Sequence, residues 1–254
     1  MIIDTHAHMD DERFEKDLAE VLRRAAEAGV ERIVTIGTTV EGSRKALELA
    51  EQFPLVWASV GIHPNESAAA KEGDLAAIEE LAEHPKVVAV GETGFDFFRD
   101  RSSRETQENF FRLQIELAAR LGFPLIVHCR DAASAAMDIL EQAGVKNAVL
   151  HCFAGTVEEA RRARSLGFLI GIDAPVTYPK GGSTRSAATA AGLDGILVET
   201  DAPYLPPQSR RGGRNEPAFL VETLQTLAAL FALPFDEMAR MTTATALRFF
   251  DRIK

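Results

Sequence analysis

The chain has 254 residues, 46% of them apolar, with a formal net charge of −10 and only two cysteines. That composition provides for a substantial core and argues against a broad basic surface for nucleic acid, though not against a nuclease whose bound cations attract phosphate locally. No apolar run approaches the roughly 20 residues that cross a bilayer. The first strand begins at once, so no leader is expected, and sparse cysteine usage fits a reducing compartment. The expectation is therefore a soluble cytoplasmic protein with two buried free thiols, assumed monomeric.

In chain order, Met1 to His8 reads as strand one, and Phe14, Leu18, Val21, Leu22 and Ala25 fall at helical spacing up to Gly29. Strands are then expected at 32–36, 55–60, 86–90, 124–127, 148–150, 168–172 and 195–198. Helices are expected between them at 41–51, 74–82, 104–121, 132–143, 157–166 and 184–191, with two more at 219–231 and 235–250. Gly122, Gly144, Gly167 and Gly192 each sit between a helix and the next strand, where helix-ending glycines belong. Eight alternating units point to an α/β fold, a (β/α)8 TIM-type barrel, forming one domain over 1–254. Such barrels carry their active sites at the C-terminal ends of the strands.

Metal-ligand residue types recur at that place. Alternation along strand one puts Asp4, His6 and His8 on one face. Later strands stop on His63, Glu92, His128, His151 and the run Glu199-Thr200-Asp201. A hydrolytic two-metal centre needs donors for each ion, a bridging carboxylate and an acidic group beside the attacking water. His6 and His8 are expected on one ion and His128 and His151 on the other. Glu92 would bridge them, and Asp201 would complete the first ion and act as general base. Charged groups gathered in one barrel mouth without a cation would be costly, which favours metal over a purely structural role. His63 is expected to donate to substrate phosphate or to a metal ligand, the alternative being a structural loop histidine, with Asp4 and Glu199 orienting the ligands. Arg130 and Arg214 lie in loops of the same barrel end and are expected to hold phosphate. Cys129 and Cys152, each following a candidate ligand, should point away from the histidine face by strand alternation.

At these residues the sequence resembles the TatD family of metal-dependent hydrolases, within the amidohydrolase-like metallo-barrels. The resemblance rests on Asp-Thr-His-Ala-His (4–8), Gly-Ile-His-Pro (61–64), Gly-Glu-Thr-Gly-Phe-Asp (91–96), Arg-Glu-Thr-Gln (104–107) and His-Cys-Arg-Asp-Ala (128–132). It continues through His-Cys-Phe-Ala-Gly (151–155), Glu-Thr-Asp-Ala-Pro-Tyr-Leu (199–205) and Arg-Asn-Glu-Pro (214–217). It implies one or two divalent ions per chain and hydrolysis of phosphodiesters, often as a DNA 3′ exonuclease. The family's metal ligands fall on His6, His8, Glu92, His128, His151 and Asp201. Zn suits the imidazoles and Mg or Mn suits phosphate oxygens. Phe95, the pair Phe97-Phe98 and the run Ile172-Asp173-Ala174 depart from the family pattern, and an acid at Asp173 on the mouth of strand seven would disfavour a polyanion. The expected substrates are DNA 3′ ends or a small phosphate ester. The alternatives are an amidohydrolase or aminoacyl-ester hydrolase on the same metals, or a non-catalytic metal-binding barrel, which would predict a lost ligand.

Overall fold

The computed structural model describes residues 1–71, 73–99 and 101–253. Eight strands, β1 (Ile2–Ala7), β2 (Val30–Ile36), β3 (Val56–Val60), β4 (Val87–Asp96), β5 (Leu125–Arg130), β6 (Ala148–Leu150), β7 (Leu169–Ile172) and β8 (Ile196–Val198), pair in sequence order. Every ladder is parallel. The ring closes between β1 and the chain leaving β8, where the Asp201 amide donates to the His6 carbonyl (2.9 Å) and the His8 amide to the Ala202 carbonyl (2.7 Å). A parallel bridge between Ala7 and Ala202 marks the same seam.

Helices α1 (Leu18–Glu27), α2 (Val40–Gln52), α3 (Asp74–Ala82), α4 (Arg104–Leu121), α5 (Ala133–Gln142), α6 (Val157–Ser165), α7 (Gly182–Ala191) and α8 (Leu220–Leu230) follow successive strands. Their apolar faces meet the outside of the sheet in the larger core, with Leu22, Ala46, Ile78, Phe111, Met137, Ala160, Ala187 and Leu224 all buried. The last helix, α9 (Phe235–Phe249), does something different. Phe249, Phe250 and Ile253 pack into a second core with Ile3, Val34, Val88, Ile126, Val149 and Leu197, side chains contributed by six of the strands. Strand alternation sends these residues to the inner face while their neighbours face the helices. The plug fills one end of the barrel and leaves the C-terminal strand ends for polar residues.

Among the described residues no single helix is long and apolar enough to cross a membrane, and the pair 217–230 and 235–249 is bent by 107°.

Candidate metal centre

Strand β1 is fully buried and delivers His6 to the seam, with His8 just past its end. The Asp4 carboxylate accepts from the amide (3.0 Å) and hydroxyl (2.6 Å) of Thr200 and from the His6 amide (3.3 Å). One buried acid thus ties the His6 segment to the chain that carries Asp201. Burial pushes the Asp4 carboxyl up to about 8, against the lowering effect of those Thr200 and His6 hydrogen bonds. Asn215 donates to the carbonyls of Thr200 (2.8 Å) and Tyr204 (2.7 Å), which fixes the same loop from outside. Asp201 takes a left-handed backbone (φ 54°) and sets Oδ1 3.3 Å from His8 Nε2 and 3.7 Å from His6 Nε2.

Strand β4 reaches six residues beyond the end expected from its apolar pattern, so Glu92 sits within the strand rather than after it. The extension depends on Gly91, at φ +139°, where an added Cβ would lie 2.4 Å from the Ile126 carbonyl oxygen. That close approach of backbones leaves no room for a side chain. Glu92 is buried and its two oxygens serve different neighbours. Oε1 lies 2.7 Å from His128 Nδ1, 2.7 Å from His151 Nε2 and 3.5 Å from His63 Nε2. Oε2 lies 3.7 Å from His6 Nε2 and 3.9 Å from His8 Nε2. Burial alone would raise its pKa, but His151 and His63 and the hydrogen bonds from His128 and His151 hold it well below the usual carboxylate range.

The donors fall into three overlapping groups, His6 with Glu92 and His151, His6 with His8 and Asp201, and His63 with Glu92 and His128. His6 and His151 stack with ring centres 4.0 Å apart, a contact that two imidazolium cations would not keep. Burial and His151 drive the His6 pKa well below its ordinary value, so His6 is neutral and has a lone pair to offer. Both His6 ring nitrogens and His151 Nδ1 are buried without a hydrogen-bond partner. Unpaired buried nitrogens in a nest of carboxylates are costly unless a cation joins them, so the donor set fits divalent metal. The separations of 3.3–3.9 Å around His6, His8 and Asp201 are too long for good hydrogen bonds and suit ligands sharing an ion.

His63 is placed among these donors but differs in one respect. Its Nδ1 accepts the Asn65 amide (3.0 Å), so the neutral ring carries its proton on Nε2, facing Glu92. That makes it a hydrogen-bond donor toward the centre. Glu199 is buried, accepts the Cys152 amide (2.5 Å) and lies 3.7 Å from His151 Nδ1. Gly171 makes space for it, because a Cβ there would sit 2.4 Å from either carboxylate oxygen. Asp96, which sequence reasoning carried only as the end of a motif, proves to be part of the cluster. Its Oδ2 lies 3.3 Å from His128 Nε2 and accepts from Asn65 Nδ2 (2.8 Å), while Oδ1 accepts the Phe98 and Arg99 amides. Its place at the end of an extended β4 was hidden by the glycines at 91 and 94.

Three expectations require correction. Arg214 does not face the centre with free donors: its guanidinium bonds both Asp17 oxygens at 2.7 Å and Glu216 at 2.9 Å. Arg24 shares Glu216 (2.8 Å), so Arg214 pins the segment before α1 to the chain before α8. Cys152 does not point away as a strand residue would. β6 ends at Leu150, Cys152 adopts φ 45°, and its thiol donates to Asp173 Oδ2 (3.1 Å). Asp173 is not displayed at the mouth: it is buried, and burial together with Glu199 and Asp201 pushes its carboxyl up to about 7. It is thus about half neutral at pH 7, which weakens the repulsion expected of it. Both cysteines are free, and burial holds the Cys129 thiol at about 12.

The raised Asp173 pKa makes a testable statement about stability. Between about pH 4 and pH 7 the folded chain keeps this proton and the unfolded chain does not, so the wild type loses stability as pH rises through that window. Asp173→Asn has no such dependence. With metal removed by chelator, its melting temperature relative to wild type is expected to climb from pH 5 to pH 8, by on the order of 5 °C. A pH-independent difference in thermal unfolding would show that Asp173 does not titrate in this range.

Comparison with known proteins agrees with the geometry. A sequence profile described as TatD related DNase matches residues 3–251. The uncharacterized metal-dependent hydrolase YabD of Bacillus subtilis (strain 168) is 38% identical over 252 residues, covering 98% of this chain and 99% of that protein. The 3′-5′ ssDNA/RNA exonuclease TatD of Shigella flexneri is 38% identical over 234 residues, 89% of this chain and 90% of that protein. The crystal structure of YjjV, a TatD homolog from Escherichia coli K12, superposes with a TM-score of 0.94 at 33% identity, covering 98% of each chain. Full-length agreement in sequence and in fold leads to one affiliation: the chain belongs to the TatD-related DNase family of metal-dependent hydrolases.

Proposed function

We propose that this hydrolase is a 3′-to-5′ exonuclease that removes nucleotides one at a time from single-stranded DNA. The observation that supports the chemistry most is the divided Glu92 carboxylate, with one oxygen toward His128 and His151 and the other toward His6 and His8. In this reading His6, His8 and Asp201 hold one divalent ion, His128 and His151 hold a second, and Glu92 serves both. Such ions, when bound, neutralise phosphate charge and bring the pKa of a water toward neutrality.

The chain's own residues supply the rest. Asp201, at the rim of the cluster, takes the proton of the attacking water. His63 offers Nε2–H to a phosphate oxygen, its tautomer set by the Asn65 amide. Asp96 orients His128, Glu199 faces His151 Nδ1 across 3.7 Å, and Asp4 keeps the Asp201 segment in register with β1. Of the two arginines expected to hold phosphate, Arg130 makes no ion pair among the described residues and can meet it. The two unpaired cysteines support a cytoplasmic setting.

The named activity of the Shigella relative supports the choice of DNA ends, as does charge. A net −10 repels the length of a polyanion, while divalent ions held at the mouth would attract its terminal phosphodiester. The test sets 3′-labelled and 5′-labelled oligonucleotides beside circular single-stranded DNA, each with Mg, Mn or Zn. A 3′ label should leave at once as mononucleotide, a 5′ label should give a descending ladder, and the circle should survive. Efficient cutting of the circle, or hydrolysis of amides without any phosphodiester, would overturn this reading.

A further inference from the structure

Three large apolar side chains are exposed among the described residues, Met1, Phe98 (63%) and Tyr204 (43%), and two of them stand at the metal centre. Single exposed aromatics are ordinary, but a pair flanking one polar cleft is not. The two lie at opposite halves of the donor cluster. Tyr204 meets the His8 ring edge-on at 5.7 Å, beside the Glu92 oxygen that faces His6 and His8. Phe98 donates its amide to Asp96, whose other oxygen reaches His128, beside the opposite Glu92 oxygen.

Each ring is also held by a guanidinium. Arg130, at the end of β5, lies 3.9 Å over Phe98, and Arg13 lies 4.3 Å over Tyr204. Arg13 is itself locked by two bonds to Asp11, at 2.8 and 2.7 Å, and Asp11 also accepts from the Tyr204 hydroxyl (3.3 Å). The rings are therefore oriented before any ligand arrives, and their exposed area is flat, apolar and backed by a guanidinium. That is the surface a nucleobase stacks on, and on the Phe98 side the Arg130 guanidinium is left for the adjoining phosphate.

We infer that Phe98 with Arg130 and Tyr204 with Arg13 are two nucleobase platforms, one on each side of the scissile phosphodiester. The inference rests on the nuclease reading above and deepens it: the substrate must present two unstacked bases across the cut bond, which a paired duplex end cannot do without melting. It also explains how an acidic protein holds a polyanion, through two local stacking contacts rather than a spread of basic charge.

The experiment uses the metal-loaded enzyme and three 3′-end substrates: an ordinary single strand, the same strand with its two 3′-terminal nucleotides abasic, and a blunt duplex. Phe98→Ala and Tyr204→Ala should each raise KM for the ordinary strand by about 10-fold or more, with a smaller change in kcat. Neither should alter KM for the abasic strand, which wild type itself should bind more weakly than either variant binds the ordinary one, because it forfeits both stacks. Phe98→Trp and Tyr204→Phe should restore the wild-type KM, and the blunt duplex should be cut poorly by all. A 2-aminopurine base at the 3′ end should lose fluorescence on mixing with wild type and keep it with at least one alanine variant. If wild type cuts ordinary and abasic strands equally, or the alanine variants slow both alike, the platforms are refuted while the nuclease reading stands. If wild type cuts no nucleic acid at all, both fall.

Discussion

Glu92→Gln is expected to strip both metal positions together, lowering affinity at each by at least about 10-fold, because one carboxylate faces both donor sets. The substitution keeps the volume of a fully buried side chain, so the inner packing survives and the barrel should remain folded. What it removes is the charge that touches His128 and His151 on one oxygen and approaches His6 and His8 with the other. Two effects then oppose each other. Glu92 raises the proton affinity of His151, and protons compete with metal for that ring, so losing the carboxylate relieves some competition. A divalent ion, however, draws twice the electrostatic benefit from the same carboxylate that a proton does, so the loss prevails. Metal content by elemental analysis and titration calorimetry, with circular dichroism to confirm the fold, decides the question. Loss of one ion with the other held at wild-type affinity would show that Glu92 is a terminal ligand and not a bridge.

The barrel order was legible because βα units announce themselves twice, once in apolar strand runs and again in the glycines that end the helices. The candidate ligands were legible for a related reason: a His, Asp or Glu directly after such a run falls at the barrel's C-terminal rim whatever the loops do. Strand ends were not, and β4 is the clearest case. Gly91 and Gly94 lie beyond the strand end expected at residue 90, yet they are glycines because the backbone presses against β5, where a Cβ at Gly94 would lie 2.2 Å from the His128 carbonyl oxygen. The misread end concealed Asp96 behind His128. Helix α1 starts at Leu18 and not near Phe14, because the intervening residues form turns over a buried Phe14 ring that Arg214 covers at 4.7 Å. Nothing in a linear pattern reveals that Arg214 pairs with Asp17 across 197 residues. Charges on loops were therefore the least legible part of the site, since their partners are chosen only when the chain closes.

Asp201→Asn should keep the fold and most metal binding while turnover falls by about 10²- to 10⁴-fold. The backbone argument comes first. Asp201 sits at φ 54°, a region asparagine enters at least as readily as aspartate, so the bond from its amide to the His6 carbonyl and the turn to Tyr204 are preserved. The ligand argument follows. An amide oxygen still reaches toward His8, and loss of the carboxylate removes a force that raises the His8 pKa, so His8 is freer of protons and better able to bind metal. These gains offset part of the lost charge attraction, unlike at Glu92, where two donor sets depend on one group. The proton argument decides the rate. The carboxylate stands at the partly exposed edge of the His6–His8 set, where the proposed attacking water would approach, and an amide could not take its proton. Metal content and kcat should be measured on the same preparation, with metal raised until activity saturates. A variant that saturates near the wild-type kcat would remove Asp201 from proton transfer and pass the role to another group within the cluster, with Asp96 and Glu199 the carboxylates left to test.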